Sequence, residues 1–372
     1  MPVSRPTSSV FARAALAASL LAAPAHAAPR IENLGHLPAG AAEQTTQAQD
    51  ISDNGEVVVG FSLTVEDVSQ IQATARQSAF RWVRRQGMRA LPHLPGGGRA
   101  ATALAVSDNG RIVVGASDGL AAGEPFLMHA TRWNDGMTPR DLGTLPGANE
   151  SAATSLSGDG EHIAGYSRNR QGQLRAVRWH RDGPPQELGT LGGEESFATD
   201  MSQDGGYVVG GAHNAAHRSR AFVWSAARGM VDLGSLPGSA DAQATAVSAN
   251  GDVVVGCSAD QIEDWSDPNA DVLKGFIWHR ANGRMQEIVN TLGGTTTLPL
   301  GVANGGTSVI GIAQDAHGVT HAFRWTPELG MLVEQVLPAN LRMGYAKGLS
   351  SDGRFSAGRL QQGDTAFRAV WR

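Results

Sequence analysis

The chain has 372 residues, of which 41% are hydrophobic and 17% are charged, and its net charge is −5. This mild acidity argues against a basic face for nucleic acid or anionic lipid, and no segment after the N-terminal one is apolar for long enough to cross a membrane. Cys257 is the only cysteine. An internal disulfide is therefore excluded, and we expect this residue to be a small buried apolar group.

The N-terminal segment has the pattern of a secretory signal peptide. Arg5 and Arg13 supply positive charge, residues 14–23 are short, apolar and rich in alanine and leucine, and Ala25 and Ala27 are small residues at the positions a signal peptidase reads. The sequence predicts Sec-type cleavage near Ala27. Residues 1–27 would be the signal peptide, and residues 28–372 would form one domain that is secreted or periplasmic.

Seven copies of one unit follow, each about 50 residues long. Tryptophan recurs every 45 to 54 residues, at Trp82, Trp133, Trp179, Trp224, Trp278, Trp325 and Trp371. A pair of glycines five residues apart also recurs once per copy, at Gly55/Gly60, Gly110/Gly115, Gly160/Gly165, Gly205/Gly210, Gly251/Gly256, Gly306/Gly311 and Gly353/Gly358. Repeats of this length without helical periodicity are typical of β-propeller blades.

Each copy is interpreted as four short strands. The first ends at a serine in six copies, the second follows an Asn-Gly or Asp-Gly turn, the third carries the tryptophan, and the fourth follows a Gly-Met turn, as at residues 229–234. Asn and Asp before glycine tolerate positive φ, so the first turn is predicted to be a two-residue hairpin turn.

The two ends of the chain are predicted to supply the four strands of one blade together. The seventh copy stops at Trp371 and lacks a fourth strand, while the stretch from Ile31 to Pro38 resembles the fourth strand and exit of the other copies, such as residues 141–146. The prediction is an all-β, seven-bladed β-propeller closed by the N-terminal strand, which completes the last blade. A linear stack would instead leave two open strand edges, which favour aggregation.

The repeat resembles the bacterial extracellular HAF repeats, named after a His-Ala-Phe triplet. Residues 321–325 read His-Ala-Phe-Arg-Trp, and residues 229–238 carry the flanking pattern Gly-Met-x-Asp-Leu-Gly-x-Leu-Pro-Gly. The resemblance covers nearly all of the chain after the signal peptide. It implies an exported repeat protein and little about function, because this family is defined by its repeat and not by a reaction.

Most repeated residues are expected to pack the blades, including the tryptophans. The residue two positions before the repeated serine is small or acidic and is expected to line the central channel. Asp50 and Asp200 hold this position in copies one and four and could face water or an ion there. No combination of residues predicts a metal site, a cofactor or a hydrolytic triad.

The copies differ in the segment between the second glycine and the tryptophan. It spans 22, 18 and 22 residues in copies one, two and five, against 13 or 14 in the others. These insertions share one face of a propeller, and binding residues concentrate on such loops. The copy-five insertion, residues 260–271, contains the out-of-series Trp265 among five carboxylates, so Trp265, Asp264 and Asp267 are candidate binding residues.

Three functions stay open at this stage. The first is a monomeric binding module whose long loops recognise an unknown glycan, peptide or surface protein. The second is a propeller hydrolase or lyase with carboxylates at the channel mouth. The third is a structural component of the cell envelope. Convergent carboxyl groups with strongly shifted pKa values at the mouth would favour the enzyme, whereas their absence beside an exposed aromatic groove would favour binding.

Overall fold

The computed structural model describes residues 29–38, 43–65, 75–119, 128–135, 138–260, 272–333, 343–360 and 364–371. The described chain forms 28 strands and one short 3-10 helix, Asn304–Gly306. The strands form seven four-stranded antiparallel sheets, which are the seven blades of a closed β-propeller. The predicted fold class is therefore confirmed. Residues 1–28 lie outside the described residues, so signal-peptide cleavage stays a prediction.

The strands of the first three blades run from the central channel outwards in chain order. Their bounds are β2 Glu43–Ile51, β3 Val57–Val65, β4 Ala75–Val83 and β5 Gly87–Ala90; β6 Ala101–Val106, β7 Val113–Asp118, β8 Met128–Trp133 and β9 Pro139–Asp141; and β10 Ser151–Leu156, β11 His162–Arg168, β12 Leu174–His180 and β13 Gln186–Glu187.

Blades four to six repeat this order. Their bounds are β14 Gly192–Met201, β15 Tyr207–Asn214, β16 Ser219–Ser225 and β17 Gly229–Asp232; β18 Asp241–Val247, β19 Val253–Ala259, β20 Lys274–His279 and β21 Arg284–Glu287; and β22 Gly293–Val302, β23 Val309–Asp315, β24 Thr320–Thr326 and β25 Gly330–Val333.

The seventh blade joins the two ends of the chain. It consists of β26 Met343–Leu349, β27 Phe355–Leu360, β28 Ala366–Val370 and, at its outer edge, the N-terminal strand β1 Arg30–Gly35. Strand β1 pairs antiparallel with β28, from Arg30 opposite Val370 to Gly35 opposite Ala366. The predicted closure is therefore confirmed.

The core lies between neighbouring blades. Each main apolar cluster combines residues of two blades, as where Val57 and Val59 of the first blade pack with Trp133 of the second. Five of the seven repeated tryptophans are buried, and Trp325 and Trp371 are half-buried. The wedge between two twisted sheets needs such a large ring, because interiors pack without voids.

The turn between the first and second strands differs from the prediction. In the first blade Ser52 N–H bonds Val57 O at 2.9 Å, which leaves a four-residue loop instead of a two-residue one. Only Gly55 has positive φ there (68°), while Asn54 uses its side-chain oxygen to accept bonds from the Ser52 hydroxyl and Glu56 N–H. Asn and Asp thus act as local acceptors in this turn.

Closure can be tested at Leu34, which packs with Trp82 of the first blade and Ala366 of the last. We expect Leu34→Ala to lower the free energy of unfolding by about 2–5 kcal/mol, because it leaves a cavity where the first and last blades pack together. Urea unfolding followed by circular dichroism measures the loss. The matched control is Leu332→Ala, at a residue 39% exposed in the outer strand β25, which should cost less than about 0.5 kcal/mol. Equal losses in the two variants would contradict the closure.

Candidate functional site

The central channel is shaped by a β-bulge in every inner strand. At one matching position in each inner strand the register shifts by one residue against the neighbouring strand, which leaves the residue at that position unpaired. Such a bulge redirects a side chain out of the regular alternation. We call these seven residues the waist of the channel; they are Gln49, Leu104, Thr154, Thr199, Thr245, Leu300 and Lys347.

The waist divides the channel into two cavities. All seven waist residues line a cavity of about 140 Å³ on the side of the turns between first and second strands, which we call the turn-face cavity. Six of them, all but Gln49, also line a cavity of about 220 Å³ on the side of the variable loops, which we call the loop-face cavity. The waist residues therefore face both spaces.

Hydrogen bonds across the waist join neighbouring blades. The hydroxyls of Thr154, Thr199 and Thr245 donate to the carbonyls of Ala198, Ala244 and Pro299 in the next blade, at 3.0, 3.0 and 2.6 Å. Lys347 Nζ donates to Gln49 Oε1 at 3.2 Å, which joins the last blade to the first. These bonds use the threonine hydroxyl donors to join neighbouring blades. Two of the three N–H donors of Lys347, in contrast, form no hydrogen bond with a described residue.

Asp50 lies in the wall of the turn-face cavity and bridges two blades. Its Oδ1 accepts a bond from Ile51 N–H at 2.8 Å, and its Oδ2 accepts one from Val106 N–H of the second blade at 2.9 Å. Burial raises its pKa to about 7, against the lowering effect of these two amides. The nearby Asp200 carboxylate adds to the rise.

Asp200 bridges blades three, four and five through hydrogen bonds in a similar way. It accepts bonds from the Ser155 hydroxyl at 2.7 Å, from Met201 N–H at 2.8 Å and from Val247 N–H at 2.9 Å. Burial raises the pKa of Asp200 too. Burial also lowers the pKa of the Lys347 ammonium, while the charges of Asp50 and Asp200 oppose that change.

Backbone hydrogen bonds join blades two to five along the outer rim of the turn-face cavity. Asp108 N–H bonds Gly158 O, Gly158 N–H bonds Gln203 O, and Gln203 N–H bonds Ala249 O, at 2.8 to 3.0 Å. The side chain of Gln203 also donates to Asp108 Oδ1 at 2.9 Å. Partial burial, together with the neighbouring Asp53, raises the pKa of Asp108. The rim is thus acidic, and its backbone is held from blade to blade.

The loop-face cavity is less polar. Leu104, Leu273, Leu298 and Leu300 contribute apolar wall, and Tyr345, Gln243 and Lys347 contribute polar groups. Burial raises the pKa of Tyr345, so its hydroxyl stays protonated at neutral pH. Cys257 backs this wall and has no exposed surface, as expected for a small buried residue.

The structure brings together two of the candidate residues. Asp50 and Asp200 both line the turn-face cavity. Trp265, Asp264 and Asp267 lie outside the described residues, within 261–271. The described residues include no group of three or more His, Cys, Asp or Glu that could hold a metal ion. Within the same residues no helix is long and apolar enough to span a bilayer.

Sequence reasoning missed Lys347. A compositional signal was present, because the chain has 28 arginines and only two lysines, Lys274 and Lys347. Its position in the repeat holds glutamine, leucine or threonine in the other six copies. A bulge directs this side chain into the channel. The bulge could not be predicted from the sequence, so the sequence indicated no role for the lysine.

Comparison with known proteins identifies the fold and goes no further. No protein-family model and no curated protein matches the sequence. One solved structure, from a mechanistic analysis of two prolyl endopeptidases, is 13% identical, has a TM-score of 0.53 and matches 88% of this chain but only 50% of that one. A chain of the mitotic checkpoint complex is 14% identical, with a TM-score of 0.50 and 99% of each chain covered.

A third similar structure is TolB from Acinetobacter baumannii. It is 11% identical with a TM-score of 0.48, and the match covers 86% of this chain and 64% of the TolB chain. The chain therefore spans under two thirds of that protein and half of the prolyl endopeptidase. The likeness to the two structures with TM-scores of 0.50 and 0.53 shows a shared β-propeller fold alone.

The raised pKa of Asp50 gives a prediction for stability against pH. Because the folded state favours the protonated carboxyl, the stability from this group is present below about pH 4 and is lost as the pH rises through about 7. We expect the melting temperature of the wild type to fall, relative to that of Asp50→Asn, between pH 5 and pH 8. Asp135→Asn, an exposed site on the same face, is the charge-matched control and should follow the wild type. Parallel curves for wild type and Asp50→Asn would contradict the raised pKa.

Proposed function

We propose that this chain is an exported binding propeller that recognises a glycan, peptide or surface protein through its loop face. The signal-peptide pattern and the resemblance to bacterial extracellular HAF repeats support a secreted or periplasmic location. A rigid seven-bladed ring that carries loops of unequal length is suited to recognition, because the scaffold fixes where the loop ends lie.

The observation that carries the proposal is where the copy-five insertion is attached. Cys257 and Leu273, one on each side of residues 261–271, both line the loop-face cavity. The strand before the insertion, β19, is buried along its whole length. The described residues on either side of the insertion therefore lie at the loop-face cavity, where a binding loop would start and end on a rigid wall.

Charge and residue type define the partner class that this segment fits. Residues 260–271 combine one tryptophan with five carboxylates. An exposed indole ring stacks on a sugar face or on a cationic group, and neighbouring carboxylates accept hydrogen bonds from hydroxyl or amino groups. A glycan or a basic peptide satisfies both requirements, whereas an acidic ligand does not.

An enzymatic function is the second candidate, and one observation favours it. Asp50 and Asp200 have raised pKa values and share the turn-face cavity. General acids need such a shift. The oxygens of both carboxyl groups, however, already accept backbone amides from two blades. We therefore rank catalysis below binding, and loss of a hydrolase or lyase activity in Asp50→Asn would reverse the ranking.

A glycan array and a basic-peptide library, screened with the protein from residue 28 onwards, test the proposal. We expect one class of ligand to bind and Trp265→Ala to weaken that binding at least about five-fold, because stacking on an aromatic ring is worth about 1 kcal/mol or more. The double variant Asp264→Asn, Asp267→Asn should weaken a cationic ligand further.

Asp135→Asn on the turn face is the control and should bind as the wild type does. Circular dichroism melting establishes that each variant is folded. Binding that is unchanged by Trp265→Ala would refute the choice of loop. No binding to any glycan or peptide would refute the recognition function and favour a structural role in the envelope.

A further inference from the structure

Lys347 is an exception in both composition and position. The chain uses arginine for 28 of its 30 basic residues, yet places one of its two lysines at the waist of the channel. Arginine is permanently charged, whereas lysine can lose its proton and then carries a free electron pair. The waist therefore carries a basic side chain that can act as a nucleophile.

The amine of the half-buried Lys347 uses few of its donors within the described part of the chain. Its one hydrogen bond to a described residue goes to Gln49 Oε1 at 3.2 Å, although an ammonium group has three donors. Within the described part of the chain no carboxylate lies at ion-pair distance from Nζ. Burial lowers its pKa, which increases the fraction of neutral amine.

The loop-face cavity, which Lys347 lines together with the turn-face cavity, is large enough for a small organic molecule. Its volume is about 220 Å³, while an engineered apolar cavity of about 150 Å³ binds benzene. Leucines make up much of its wall, and the Tyr345 hydroxyl, which forms no hydrogen bond with a described residue, adds one polar group. The cavity thus offers a partly apolar pocket that Lys347 lines.

We propose that Lys347 binds small hydrophobic aldehydes or ketones covalently, as an imine formed within the loop-face cavity. This site is independent of the macromolecular partner proposed above, because it needs only the cavity and the amine. Its ligand is a neutral carbonyl compound. A carboxylate anion would be repelled by Asp50 and Asp200 on the other side of the waist.

The reaction balances without a further reactant. The neutral amine attacks the carbonyl carbon, a carbon–nitrogen bond forms, and a proton passes from nitrogen to oxygen to give a carbinolamine. The oxygen then leaves as water after it accepts one more proton, and nitrogen loses a proton when the neutral imine forms. Addition of water reverses each step, so binding is reversible until the imine is reduced.

Reductive trapping tests the proposal on the folded protein. The protein is incubated with benzaldehyde and sodium cyanoborohydride at pH 7, and modified sites are located by peptide mapping and mass spectrometry. The chain contains two lysines, so Lys274 and the N-terminal amine are internal references. We expect Lys347 to be alkylated about ten-fold faster than Lys274, and the preference to disappear in urea, because it depends on the folded environment. Equal rates in the folded protein would overturn the proposal.

Two variants locate the pocket. Leu298→Trp fills the loop-face cavity and should suppress modification of Lys347, whereas Leu332→Trp, in the outer strand β25, should leave it unchanged. Equal modification of Lys347 in both variants would overturn the assignment to this cavity.

Competition with benzyl alcohol is measured on the wild-type protein, so its result does not depend on the folding of a variant. It should slow the reaction of Lys347 and not that of Lys274. Failure of the competition would count against a ligand pocket at Lys347, and it would leave the proposed glycan or peptide recognition untouched.

Discussion

A glycine that faces a β-bulge in every blade is the constraint on which the channel depends. A Cβ at Gly60 would lie 2.0 Å from Gln47 O, and one at Gly165 would lie 2.0 Å from Ala152 O. The second glycine of each repeat therefore allows the inner strand to come close and bulge. The bulge in turn directs one residue per blade into the waist. Because blade packing does not require one residue type at this position, the type differs between the blades.

Polar groups in the channel serve mainly to hold the blades together. Asp50, Asp200 and three threonines each accept or donate hydrogen bonds across a blade boundary. Buried polar groups are tolerated when they are paired in this way. The raised pKa values of Asp50 and Asp200 arise from burial, and the same two carboxyl groups join neighbouring blades. Lys347 differs because most of its bonding capacity is unused.

The sequence was sufficient to predict the number of blades and their closure, because the glycine spacing and the N-terminal match at residues 31–38 are local patterns that recur. It also placed Asp50 and Asp200 in the channel. It could not predict the bulge, since a one-residue shift of register leaves no mark in the spacing of a single strand. Lys347 was missed for that reason. The serine at the turn was recognised as a marker, but its bonds to Asn54 and Val57 depend on the loop conformation.

Because β1 pairs with β28, the ring is complete only when the first and last strands of the chain have met. Arg30 and Val370 are partners in one sheet, although nearly the whole chain separates them. Contacts between such distant residues form slowly, because a long loop must first be closed. Until that happens, β28 presents an unpaired edge and is open to intermolecular pairing. A longer time before this last contact forms therefore gives newly made protein more opportunity to aggregate.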